Sequence, residues 1–181
     1  ISQASMLFSQ LKADFIFDKS EGCGSLAVSF KDQSTSDIGS INEWVWDLGG
    51  VVSVLQNPGI VLTKPGEYTI CLTIKSTSGA STKTCKDKII KVYEIPQANF
   101  ISSVASGCVP VNATFKDLSV SKNGGIVSWI WGVGGSSNLI STEDSTLIIK
   151  TTYTTEGNYP VTLSVTDRKG CKNTITKPSV V

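Results

Sequence analysis

Apolar and polar residues alternate with period two along most of this chain. Thr69-Ile70-Cys71-Leu72-Thr73-Ile74 and Pro160-Val161-Thr162-Leu163-Ser164-Val165 are the clearest runs. They are rich in Val, Ile and Thr, which suit a pleated, half-buried surface. No long helical pattern interrupts them. The alternation predicts strands at 12–18, 26–31, 42–48, 67–75 and 82–93, with short pieces between 51 and 63. A second set falls at 97–103, 111–116, 127–133, 145–153, 158–166 and 172–177. Strand signals at this spacing belong to an all-β sandwich.

The two sets are copies of one unit. Shifted by 85 residues, Ala13-Asp14-Phe15 falls on Ala98-Asn99-Phe100, Gly22-Cys23 on Gly107-Cys108, and Phe30-Lys31-Asp32 on Phe115-Lys116-Asp117. Trp44 and Trp46 fall on Trp129 and Trp131. After the double glycine the offset becomes 91, and Gly66, Tyr68, Leu72 and Gly79 match Gly157, Tyr159, Leu163 and Gly170. A six-residue insertion in copy 2, between Gly135 and Gly157, accounts for the change. Insertions fall in surface connections, so a longer loop or an edge hairpin is expected there. The expected domains are 12–95 and 96–181, after a leader or linker at 1–11 that aligns with neither copy. The join, Val92 to Ala98, holds a proline and no Gly/Ser tract, which favours a stiff, extended pair.

Side chains alternate along a strand, so Trp44, Trp46 and Leu48 share one face, and Trp129, Trp131 and Val133 share the equivalent face. A tryptophan between the sheets and a tyrosine at the start of a later strand, here Tyr68 and Tyr159, are features of immunoglobulin-like sandwiches. Copy 1 reads Trp46-Asp47-Leu48-Gly49-Gly50, then Pro65-Gly66-Glu67-Tyr68-Thr69-Ile70-Cys71-Leu72-Thr73-Ile74. Copy 2 reads Trp131-Gly132-Val133-Gly134-Gly135, then Gly157-Asn158-Tyr159-Pro160-Val161-Thr162-Leu163-Ser164-Val165. In this order the motifs resemble the polycystic kidney disease (PKD) domain, whose pattern is W-D-F-G-D-G followed by P-G-x-Y-x-V-x-L-x-V. The resemblance covers about residues 12–181. It implies two tandem Greek-key β-sandwiches of about seven strands each, with the tryptophans and tyrosines as core signature.

Both copies depart from that pattern. Gly50 and Gly135 replace the second aspartate, and Gly132 replaces the first in copy 2. Glycine permits positive φ but supplies no acceptor to the turn. Asp14, Asp18, Asp32, Asp37 and Asp47 are candidate oxygen ligands for calcium. They are scattered across strands and turns without a D-x-D-x-D-G loop, so turn and cap roles are the expectation. Glu143-Asp144, the adjacent acidic pair of the insertion, reads as a solvated loop tip.

Charge and composition narrow the chemistry. With 16 basic and 15 acidic residues, net charge +1 and no long like-charge run, nothing points to a nucleic acid or an anionic membrane as partner. No apolar run approaches the roughly 18 residues of a spanning helix, so no membrane insertion is expected. The start, ISQASMLFSQLK, lacks a basic region and a long apolar region, and the sequence reads as a segment of a longer chain. The absence of histidine removes Ser-His-Asp and Cys-His catalysis and His-ligated metals. No catalytic residue, metal site or cofactor is expected.

Five cysteines remain, with no C-x-x-C. Cys71 and Cys85 lie opposite one another across a hairpin centred near Ser78 and are expected to be bridged. Cys108 opens one strand and Cys171 follows a turn placed at the same end, so a second bridge is expected between them, closing about 60 residues. Cys23 matches Cys108, but Ala80 stands where its partner would be, which leaves Cys23 as the expected free thiol. The competing assignment pairs Cys23 with Cys85 and leaves Cys71 free. Two bridges imply an oxidising, extracytoplasmic compartment.

The resemblance carries a functional expectation. The Gly-Cys step and the Y-T-I-C-L-T-I strand resemble repeats in secreted and surface adhesins of the Bacteroidota. That implies a non-catalytic spacer or adhesive segment, monomeric as a fragment, whose partners are neighbouring repeats of the same chain and surface glycans or other proteins. The alternative is an accessory carbohydrate- or substrate-binding module beside a secreted polysaccharidase or protease. In that reading the Trp pairs would be exposed for stacking rather than buried.

Overall fold

A computed structural model describes residues 10–104, 107–134 and 139–178. The leader's residues 1–9 and Gly135 lie outside the described residues. Among those described, every regular element is a strand. The chain divides into two compact units at Val92/Tyr93.

Copy 1 holds β1 (Leu11–Lys12), β2 (Phe15–Phe17), β3 (Glu21–Cys23), β4 (Leu26–Asp32), β5 (Thr35–Ser36), β6 (Ile41–Leu48), β7 (Val52–Ser53), β8 (Gly59–Leu62), β9 (Gly66–Ser76) and β10 (Ser81–Tyr93). One sheet runs β3-β10-β9-β6-β7 and the other β2-β4-β8, while β1 and β5 pair apart. Leu11, assigned by sequence to the leader, thus already belongs to a strand, opposite Ser36. Copy 2 holds β11 (Phe100–Ser102), β12 (Val111–Asp117), β13 (Ile126–Gly132), β14 (Leu139–Thr142), β15 (Ile149–Tyr153), β16 (Val161–Asp167) and β17 (Lys172–Lys177). Its sheets run β11-β12-β15 and β14-β13-β16-β17. β14 extends the sheet beyond β13 at the place β7 holds beside β6, over four residues instead of two.

Each core follows from the alternation. In β4, Leu26, Val28 and Phe30 are buried between exposed neighbours, and Ile70, Leu72 and Ile74 of β9 meet them from the facing sheet. Trp46 sits at the centre, edge-on to Phe15 at 5.2 Å and tilted against Phe30 at 5.7 Å. The same trio recurs 85 residues later, with Trp131 at 5.3 Å from Phe100 and 6.4 Å from Phe115. Such aromatic contacts contribute about 0.5–1.5 kcal/mol each beyond the area they bury.

Candidate functional site

The tryptophan pairs stand on β6 and β13. Trp46 and Trp131 are fully buried, Trp129 is 4% exposed, and Trp44 is partly buried at the edge of its core. Three of the four indole N–H groups bond internally. Trp44 Nε1 donates to Asp32 Oδ2 at 2.8 Å, and Trp129 Nε1 donates to Asp117 Oδ2 at 2.7 Å. Trp46 Nε1 donates to Leu55 O at 2.9 Å. Burial works against the charge of Asp32, but hydrogen bonds from Ser34, Trp44 and Gln56 outweigh it and hold its carboxyl below the ordinary value. The aspartate that closes each Phe-Lys-Asp match is therefore the acceptor for an indole. The repeat had placed it, but its role shows only in the structure.

The turn after Trp46 carries its own acceptor. Asp47 Oδ1 accepts from the Gly50 amide at 2.7 Å. Gly132 stands at that place in copy 2 and offers no such oxygen. Gly49 is required twice over: its φ is +72°, and a Cβ there would clash with Tyr68 Cδ1. The tyrosine that crowds it turns its hydroxyl back to Lys64 O. Tyr159 does the same to Thr155 O at 3.0 Å and stacks on Tyr153. Both hydroxyls thus bond four residues upstream.

The cysteines depart in part from expectation. Cys71 and Cys85 are bridged on the outer face of the β9–β10 hairpin, directly opposite in register, which excludes the Cys23–Cys85 pairing. The expected Cys108–Cys171 bridge is not formed: Cys108 is an exposed free thiol, and Cys171 is buried and disulfide-bonded. The reason is strand direction. The Cys171 amide donates to Asp167, which also accepts from Ser121 and Asn123 in the loop that leaves β12. Cys108 precedes the entry to β12, so the strand's length, roughly 20 Å, separates the two. Cys23 is likewise disulfide-bonded, not the free thiol expected. Ala80 has no bearing on it. The β9–β10 turn is tied at Thr77 to Ser40, beyond the exit of β4, whereas Cys23 precedes its entry.

The acidic candidates hold turns and strand ends. Asp14 accepts from the Phe15 amide, Asp18 from Ser29, and Asp144 from Thr146. Asp37 enters the hydrogen bonding through its backbone amide, which donates to Gln10 O. Among the described residues no three His, Cys, Asp or Glu side chains gather as a metal ligand set. Two features escaped the sequence reading. Lys86 lies over the Phe15 ring, pairs with Asp14 at 3.0 Å and donates to Phe15 O. The hydrogen bond from Lys86, then that from the Phe15 amide, hold the Asp14 carboxyl below its ordinary value. Lys177 repeats the clasp over Phe100, donating to Asn99 Oδ1 and Phe100 O at 2.8 and 2.7 Å. Both lysines obey the 91-residue offset, the signal that could have found them. The second feature is Asp167, buried among four donors where copy 1 has Ser76.

These are architectural roles within each copy. The sequence profile of the PKD domain matches residues 12–91 and again 93–181. The chain belongs to the PKD domain family. Among solved structures, the PKD1 domain of Vibrio anguillarum Epp is 29% identical, covering 49% of this chain and 95% of its own, with TM-score 0.40. The PKD1 domain of the Vibrio cholerae metalloprotease PrtV is also 29% identical, over 48% and 96%, with TM-score 0.40. A Ca2+-stabilized adhesin that helps an Antarctic bacterium bind ice is 9% identical over 94% of this chain and 48% of its own, with TM-score 0.53. That last likeness concerns the fold alone. The two PKD domains of this chain therefore share one plan, in which the Trp and Tyr signature fastens two sheets together.

Proposed function

We propose that this tandem PKD segment is a non-catalytic structural and interaction module of a large bacterial cell-surface protein, serving as spacer or adhesive segment. The observation that carries the reading is the use made of the aromatic signature. Trp46, Trp129 and Trp131 are buried, the indole N–H groups of Trp46 and Trp129 bond within their own domains, and Tyr68 and Tyr159 close corners. What remains for function is the outer surface, held in place by sheets and disulfides. Disulfide-bonded Cys23, Cys71, Cys85 and Cys171 support an oxidising, extracellular setting. The resemblance of the Gly-Cys and Y-T-I-C-L-T-I motifs to Bacteroidota repeats, including those of the gliding-motility adhesin SprB, supports a role in adhesion or gliding. Partners would be flanking repeats, surface glycans or other proteins.

The test is antibody labelling of intact cells of the source organism, followed by deletion of the segment in frame. Labelling without permeabilisation, together with reduced attachment or spreading after deletion, is the expected result. Labelling only after permeabilisation would overturn the proposal. Attachment unchanged by the deletion would overturn the adhesive role.

A further inference from the structure

The two copies differ at one sheet edge, and copy 2 shows what fits there. In copy 2, β14 pairs along four residues of β13: Trp129 faces Thr142, Ile130 faces Ser141, Trp131 faces Ile140 and Gly132 faces Leu139. In copy 1 the equivalent β7 is two residues long and ends with Ser53 opposite Trp46. The chain then leaves the sheet and crosses to β8. Trp44 and Val45, the equivalents of Trp129 and Ile130, keep β9 on one side and, among the described residues, have no strand on the other.

The open side turns backbone toward a groove. The Leu48 amide donates to Val51 O, so Leu48 turns its backbone groups toward the β7 edge. Antiparallel strands alternate by two, and Trp46 and Trp44 therefore turn N–H and C=O to that same edge. Those of Trp46 face Ser53. Those of Trp44 face a groove of about 420 Å3 between Asn42–Val45 and Val54–Gln56. Its rim is apolar, with Val45, Val54 and Leu55 exposed at 45, 70 and 63%. Natural sheet edges are usually guarded by lysine, proline or a covering segment. Among the described residues no lysine lines this groove, and Glu43 is drawn away to Lys75 on the neighbouring strand at 3.1 Å.

The groove's polar side chains are largely engaged. Gln56 and the Trp44 indole N–H both donate to Asp32, and Glu43 pairs with Lys75. A sugar would find few free hydroxyl partners here, whereas a peptide strand would find a backbone donor and acceptor. We propose that the Trp44–Val45 edge of copy 1 is a strand-docking site. It takes an extended peptide antiparallel to β6, with hydroxyl and β-branched side chains of the Ile140-Ser141-Thr142 kind. Main-chain hydrogen bonds supply the affinity and the apolar rim the selectivity. The burial of Trp129 beneath β14, against the partial exposure of Trp44, shows how docking would cover the second indole. This site stands on the edge geometry alone and holds whichever role the whole protein has.

The probe is the acetylated, amidated peptide of residues 139–146, added at millimolar concentration to the 15N-labelled full chain. Expected are shifts of the Trp44 amide and indole resonances and at least tenfold slower exchange of the Trp44 amide at saturation. Leu55→Glu should weaken both at least tenfold while leaving the circular dichroism unchanged. No Trp44 response, a response unaffected by Leu55→Glu, or shifts confined to β13 would overturn the proposal. So would a tetrasaccharide of N-acetylglucosamine or glucose that perturbs Trp44 when the peptide does not.

Discussion

Replacing both Cys71 and Cys85 with threonine should leave copy 1 folded but less stable. Copy 2 has Thr162 and Thr176 at the matching positions, also opposite one another in register, with their hydroxyls 3.1 Å apart. The site therefore accepts a threonine pair without change of fold. The bridge spans a sequence separation of 14. Closing a loop of that length stabilises by about 3 kcal/mol in the chain-entropy account. A cross-strand threonine pair returns about 0.2–1 kcal/mol. The net loss is about 2–3 kcal/mol. For a domain of this size that is roughly 10–20 °C in Tm. Calorimetry of the full chain, with Cys108→Ser in both backgrounds to prevent thiol exchange, reads it as a downward shift of one transition. Far-UV circular dichroism should not change. A double variant that fails to fold would refute the equivalence of the two pairs. A loss under about 1 kcal/mol would refute the loop-closure argument.

The reverse exchange, Thr162→Cys with Thr176→Cys, should raise the copy 2 transition by a comparable amount once non-reducing mass spectrometry confirms the bond. Gly49→Ala should cost more than Gly50→Ala in denaturant melts. Both glycines have positive φ, worth about 1–2 kcal/mol, but only the Cβ at position 49 strikes a ring. Burial of the Asp167 carboxyl opposes its charge, yet hydrogen bonds from Asn123, Ser121 and the Cys171 and Lys169 amides hold its pKa below the ordinary value. A depressed folded pKa contributes stability above the unfolded value, about 3.9, and loses it as pH falls through the folded value. Copy 2 should therefore lose stability below about pH 4, and Asp167→Asn should flatten that dependence in acid melts. Asp167→Ala should cost about 1–3 kcal/mol at pH 7 by stranding the donors.

Strands and core could be read from the sequence because period-two alternation reports which side of a sheet faces inward. Phe15, Phe30 and Trp46 sit where the 85-residue repeat places them. The length of β14 was harder, since the residues it has beyond the two of β7 have no counterpart to align with, and its consequence for the Trp44 edge depends on pairing rather than on pattern. The bridge between Cys71 and Cys85 was legible because a hairpin fixes its own register. The expected Cys108–Cys171 bridge failed because it took the two cysteines to lie at the same end of the sandwich. Cys171 lies by the loop that leaves β12, whereas Cys108 precedes that strand. The lysine clasps and the Asp–indole bonds join residues from different sheets or strands, and only packing brings them together.

Whether the tryptophan pairs hold cores or bind ligands is tested most directly by acrylamide quenching of the native chain and of Trp44→Phe. If they are core residues, only Trp44 contributes an accessible fraction. The variant should then quench far less than the same protein in denaturant. Quenching of native Trp44→Phe as strong as that of the unfolded chain would contradict the architecture on which the proposed function rests.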